Sequence, residues 1–148
     1  MRLFRIAEEQ FARDLTGEGA RLYGGGWNPK GIPMIYTAES VALAALEVLV
    51  RVATPKHYFR TIYDAPDSAS METVAVADLP SNWLLPYPNP HLIEFGKRWA
   101  REIRSLILQV PSAVVRGEGW NYLINPLHPE IATVAIIDSA PFAYDFRL

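Results

Sequence analysis

Glu47 is the only charged residue between Glu39 and Arg51, in the run ESVALAALEVLVR. A carboxylate in so apolar a stretch must be paired or must face a polar cavity. Two readings follow from its spacing. Arg51 lies four residues on, and an exposed pair of that kind contributes about 0.2–0.5 kcal/mol. Alternatively the carboxylate stabilises positive charge developing on a sugar ring, because glycosyl transfer passes through an oxocarbenium-like transition state. Tyr36 ends a short apolar run that feeds the same helix. An aromatic ring at that place is commonly core, but the carboxyl end of a strand is also where ligands settle. Its face could stack on a nicotinamide or adenine ring.

Ahead of these lies YGGGWNPK, residues 23–30. Its glycines allow close backbone approach, and Tyr23, Trp27, Asn28 and Lys30 are available as ligand groups. It is neither a GxGxxG turn after a strand nor a P-loop, since no Gly-Lys-Ser/Thr follows. Ser112, in VPS, puts a hydroxyl at a proline-bent position; its bland role is a turn hydroxyl satisfying backbone groups. No histidine stands at a spacing that would complete a Ser-His-Asp hydrolase. His57, His91 and His128 do not form a metal-ligand cluster. NYLINPLHP, residues 121–129, puts Asn125 either in a pocket wall or in ordinary Asn-Pro turn chemistry.

The elements that must position these residues alternate. Residues 1–7 read as a strand with Leu3 and Ile6 inward and Arg2 and Arg5 outward. Residues 8–14 allow a turn or two of helix. Residues 17–33 read as loop, punctuated throughout by glycine and proline; a loop of that length in a compact domain is functional or disordered, and its aromatics argue against disorder. Residues 34–36 form a short buried strand. Thr37 then caps a helix running to about Val52, stopped before Pro55. That helix is apolar nearly all round, the pattern of a central buried helix. Strands follow at 57–62 and 71–76, and a proline-punctuated loop at 84–90. A second helix at 91–104 carries Leu92, Phe95, Trp99 and Ile103 on one stripe. A strand at 105–110 continues over 113–115, and short strands follow at 122–124, 133–137 and 141–146.

The chain has 148 residues, no cysteine, twelve prolines and a formal net charge of −2. Its length suits one domain with a real core. Scattered Lys and Arg leave no basic face, which argues against nucleic-acid binding. The absence of cysteine removes disulfide and thiolate chemistry. The N-terminus carries no long apolar stretch of signal-peptide type, and the longest apolar run is too short to span a bilayer. A cytoplasmic home is expected.

The N-terminal LFRIA, the GARLYGG-WNPKG-P--YTAES-ALAALE block, VPSAVV, NYLINP and the C-terminal F-D-R-L-like end resemble the RES-domain toxins of bacterial toxin–antitoxin pairs, whose partner is an Xre-like antitoxin. The resemblance covers nearly the whole chain. It implies one RES domain over residues 1–148. The fold implied is α+β and ADP-ribosyltransferase-like, with a mixed β-sheet core and two main helices. NAD+ would be the substrate, cleaved at its nicotinamide–ribose bond by hydrolysis or phosphorolysis, with no cofactor or metal required. The alternatives are protein ADP-ribosylation and a catalytically dead antitoxin-binding module. A toxin–antitoxin hetero-oligomer is implied, with no membrane or direct nucleic-acid partner.

The family's glutamate and serine fall on Glu47 and Ser112, and its nicotinamide-stacking tyrosine on Tyr36. Arg21, Tyr23, Trp27, Asn28, Lys30 and Asn125 would line the dinucleotide. The family pattern GG-Arg-WN reads Gly24-Gly25-Gly26-Trp27-Asn28 here, so Gly26 stands where an arginine is expected. Arg21, five residues upstream, does not obviously replace it. A guanidinium there would make charge-assisted, bidentate bonds. Its absence predicts impaired catalysis, either in a variant inactivated so that a toxic enzyme could be produced or in a natural member whose activity is lost or rerouted. The intact remainder of the block favours the first.

Overall fold

A computed structural model describes residues 1–50, 57–86, 88–145 and 147. A seven-stranded mixed sheet forms the frame, in the order β4-β5-β6-β2-β1-β3-β7. The strands are β1 (Arg2–Glu8), β2 (Ile35–Ala38), β3 (Tyr58–Asp64), β4 (Met71–Thr73), β5 (Ile107–Pro111), β6 (Trp120–Ile124) and β7 (Ala135–Phe142). The helices are α1 (Glu18–Tyr23), α2 (Val41–Leu49) and α3 (Pro90–Arg101). All neighbouring strands are antiparallel except β4 and β5, which α3 connects as a parallel pair.

Central strands bury both faces and so read as continuous apolar runs. In β5, Leu108 and Val110 join Trp99, Ala100, Met34 and Trp27 on the α3 side. Ile107 turns to the other face with Leu3, Ile35, Tyr63 and Ile124. A third cluster, Ile6, Ala38, Leu43, Ala44 and Tyr58, lies beneath α2. The Trp99 indole N–H inside the α3 packing is satisfied: Nε1 donates to Ser105 Oγ at 2.9 Å.

The sheet parts in its middle. β1 pairs with β3 along its whole length, Arg2↔Asp64 to Glu8↔Tyr58. β2 pairs with β6 from Ile35↔Ile124 to Ala38↔Asn121. Between the two halves the single registered pair is Phe4↔Ala38. Beyond Phe4 the edge of β1 is open, and the gap is where the cavity forms.

Several boundaries differ from the sequence-based expectation, each for a local reason. The segment 17–33 contains α1. Asp14 makes this possible by accepting from Gly17 N (2.8 Å) and Glu18 N (3.3 Å) at the helix start, while Gly17 adopts φ +71°. The cap of α2 is Ser40, whose Oγ accepts from Leu43 N at 3.1 Å. Thr37 lies within β2 instead, and its hydroxyl donates to Tyr122 O. The expected end of that helix at Val52 lies outside the described residues.

α2 is not fully buried: Leu46, Leu49 and Val50 are exposed, because only one side of the helix meets the sheet. Pro90 is the first residue of α3, after the Asn89 cap, since proline lacks a donor that the first turn does not need. Ile103 falls past the helix end at φ +51°, 40% exposed, and leaves the apolar stripe. Residues 113–115 form a turn, not a strand. Residues 135–142 form one edge strand that accommodates Pro141, as edge strands can.

Candidate active site

The parting of β1 and β2 opens into a cavity of about 560 Å³. Its walls come from β1 (Phe4, Arg5, Glu8), α1 and the following glycines (Tyr23, Gly24, Gly25), β2 (Tyr36), α2 (Ala44, Glu47, Val48) and β6 (Asn121). Glu47 therefore faces a cavity, one whose largely apolar walls also carry Arg5 and Asn121. Whether it also meets Arg51 lies outside the described residues.

Two donors hold the carboxylate, both on the same oxygen. Ser112 Oγ donates to Glu47 Oε1 at 2.6 Å, and Asn121 Nδ2 donates to it at 2.7 Å. Ser112 follows β5 immediately, and Asn121 pairs with Val110 on the adjacent strand. Two neighbouring strand ends thus deliver their side chains to one helix residue 65 and 74 positions away in sequence. Ser112 is fully buried and is not among the residues lining the cavity. Its hydroxyl meets Glu47 from behind the cavity lining. Asn121 Oδ1 is buried without a hydrogen-bond partner, an arrangement that costs about 1–3 kcal/mol.

Tyr36 is fixed through its hydroxyl, which accepts from Trp27 N (3.0 Å) and donates to Asn28 Oδ1 (2.5 Å). A Cβ on Gly25 would sit 2.6 Å from that hydroxyl, so the glycine is what lets the ring approach the backbone. Asn28 is a buried clamp. Its Nδ2 lies within bonding distance of the carbonyls of Ala20, Pro29 and Ile32, which ties the glycine loop to α1.

The other proposed dinucleotide contacts divide. Tyr23 lines the cavity, 69% exposed. Trp27 is buried and packs edge-on against Phe95, with centroids 6.0 Å apart. Arg21 forks onto Glu18 with bonds of 2.7 and 2.6 Å. Lys30 is exposed. Asn125 is buried, donating to Ala100 O and accepting from Leu127 N, which is turn chemistry. Trp27, Asn28, Arg21, Lys30 and Asn125 do not line the cavity.

Arg5 does line it, against the expectation that it points outward. Its Nη1 donates to Phe11 O at 3.1 Å and Tyr63 Oη at 3.3 Å. The strand alternation missed it because β1 borders an open gap, so both of its faces are partly covered. Gly26 is not among the lining residues, and a Cβ there would meet nothing within 4 Å. Among the described residues no group of three or more His, Cys, Asp or Glu could hold a metal ion. No helix among them is long and apolar enough to cross a membrane.

A parted mixed sheet with a carboxylate pinned at the parting is a fold-and-site class that can be compared with known proteins. The RES domain family model matches residues 2–145, and the chain belongs to the RES domain family. It is 36% identical over 142 residues to a protein of Sphingobium sp. (strain YBL2) named Prs ADP-ribosylating toxin, covering 93% of this chain and 88% of that one. It is also 36% identical over 156 residues to Toxin Res of Photorhabdus laumondii subsp. laumondii, covering 100% and 97%. Among solved structures it shares its fold with a chain of the M. tuberculosis MbcT-MbcA toxin-antitoxin complex, with a TM-score of 0.71 and 22% identity over 95% of this chain and 83% of that one.

Proposed function

We propose that this protein is the toxin of a toxin–antitoxin pair and that it binds NAD+ and cleaves its nicotinamide–ribose bond. The observation that carries this reading is the convergence of Ser112 and Asn121 on Glu47 at the wall of a cavity that also presents Arg5 and Tyr36. In the reaction the C1′–N bond breaks and neutral nicotinamide departs with the electron pair. Positive charge grows on the ribose ring. Glu47 stabilises it electrostatically, in a site already organised before the substrate arrives. Tyr36 stacks against the nicotinamide, and Arg5 supplies the cation for the pyrophosphate. Water or phosphate then attacks C1′, and the cell loses NAD+. The antitoxin, of Xre-like type, binds the toxin in the cytoplasm.

The test is Glu47→Gln, which keeps the shape and removes the charge. NAD+ consumption by the wild-type chain, followed with and without phosphate, is expected to fall by about a hundredfold or more in the variant. No NAD+ loss from either the wild type or Gly26→Arg, or a Glu47→Gln variant as active as its parent, would sink the reading.

A second reading is transfer of ADP-ribose to a protein, favoured by the name of the Sphingobium relative, an ADP-ribosylating toxin. It uses the same bond cleavage with a protein nucleophile at C1′. Labelled NAD+ separates the two: label retained on a protein band marks transfer, and label only in small molecules marks hydrolysis or phosphorolysis.

A further inference from the structure

We infer that Asn121 is a positioning residue for this reaction, one that sets the plane of the Glu47 carboxylate so that Oε2 addresses the ribose. The inference rests on the function proposed above. Both donors that hold Glu47 bond to Oε1: Ser112 Oγ from beyond β5 and Asn121 Nδ2 from β6. Two bonds to one oxygen from two directions restrict rotation of the carboxylate about its terminal torsion, which is otherwise broad and soft. Neither bond engages Oε2.

Asn121, unlike Ser112, also lines the cavity. It therefore holds Glu47 at the point where a ligand would arrive. The amide can do this in one orientation only. With its Nδ2 toward Glu47 the bond is charge-assisted; turned over, Oδ1 would face the carboxylate and repel it.

The retained orientation leaves Oδ1 buried without a donor. A side chain chosen for stability alone would not keep an orphan acceptor, because unpaired buried groups destabilise. The unpaired oxygen is what remains when the other end of the amide is committed to the carboxylate. Stability and reaction rate should therefore separate at this position, which is the signature of a positioning role.

The experiment measures NAD+ cleavage and thermal melting for wild type, Asn121→Ala, Asn121→Asp and Glu47→Gln. In Asn121→Ala, kcat is expected to fall at least tenfold, with KM within about threefold and the melting temperature within a few degrees of wild type. Asn121→Asp keeps the shape, removes the donor and adds a like charge, so its kcat should fall further than that of the alanine variant. Asparagine variants that retain wild-type kcat, while Glu47→Gln has lost it, overturn this inference alone. So does a kcat loss that only accompanies unfolding. If Glu47→Gln retains full cleavage, or neither the wild type nor Gly26→Arg has any, the underlying reading fails and takes this one with it.

Discussion

Replacing Gly96 by alanine should destabilise the protein, although alanine is the better helix former. Gly96 lies within α3, where Gly→Ala ordinarily gains about 0.5–1 kcal/mol. Here a Cβ would lie 1.8 Å from the carbonyl oxygen of Trp27 and 2.8 Å from its carbon. Carbon–oxygen contacts settle near ~3.3 Å, so α3 and the Trp27 segment must move apart by roughly 1.5 Å. Both sides of the clash are backbone, so no side chain can turn away. Overpacking of this kind costs about 1–3 kcal/mol and occasionally more. Taking the upper end against the helix gain leaves a net loss of about 2 kcal/mol. At this chain length that lowers the melting temperature by about 4–8 °C.

Gly19→Ala is the control. Gly19 lies in α1, and its nearest neighbours, the Phe11 ring atoms, would stand at 3.6 Å, an ordinary contact. It should be neutral or stabilising, by up to about 1 kcal/mol. Urea denaturation midpoints at matched slope read both variants. Gly96→Ala as stable as wild type, or more so, would refute the reasoning. The displacement should also reach the cavity, because the Trp27 N–H that holds the Tyr36 hydroxyl belongs to the segment being pushed.

Three further outcomes are expected. Arg5→Ala should raise KM for NAD+ at least tenfold, and Gly26→Arg, whose Cβ meets nothing within 4 Å, should raise kcat/KM by about a hundredfold, as the missing guanidinium predicts; an unchanged kcat/KM in Gly26→Arg would refute that expectation. Burial raises the pKa of Asp14, but hydrogen bonds from Thr16 and Gly17 and the nearby Arg5 outweigh it and leave the carboxyl below its ordinary 3.8. Its folded pKa is depressed, so its contribution is complete above the unfolded value and is lost as pH falls through the folded one. Asp14→Asn should cost about 1 kcal/mol at neutral pH through the weakened helix start. Its stability should then decline less steeply than that of wild type below pH ~4. Parallel acid limbs in urea titrations would argue against this.

Local rules explain what was legible in the chain. Glu47 stood out because a lone acid on an apolar helix has few comfortable places, and Tyr36 because it ends a strand that feeds that helix. The mixed α+β pattern and the two longer helices followed from hydrophobic period and proline placement. The resemblance to RES-domain proteins, carried by long blocks such as GARLYGG and YTAES, pointed to the family that the matched residues 2–145 establish.

Other assignments needed the tertiary structure, because they depend on distance through space. Nothing in NYLINP separates Asn121, which reaches Glu47, from Asn125, which closes a turn. Both are asparagines near one strand, and only the pairing of β5 with β6 puts one of them beside α2. Asn28 and Trp27 lie in a loop that invites a ligand, yet they are spent on holding Tyr36 and packing α3. Arg5 alternates outward on paper, but the sheet opens beside it and turns its strand edge into a cavity wall. Residue type and spacing named the carboxylate. Which groups hold it, and which cation shares its cavity, was decided by where the two halves of the sheet part.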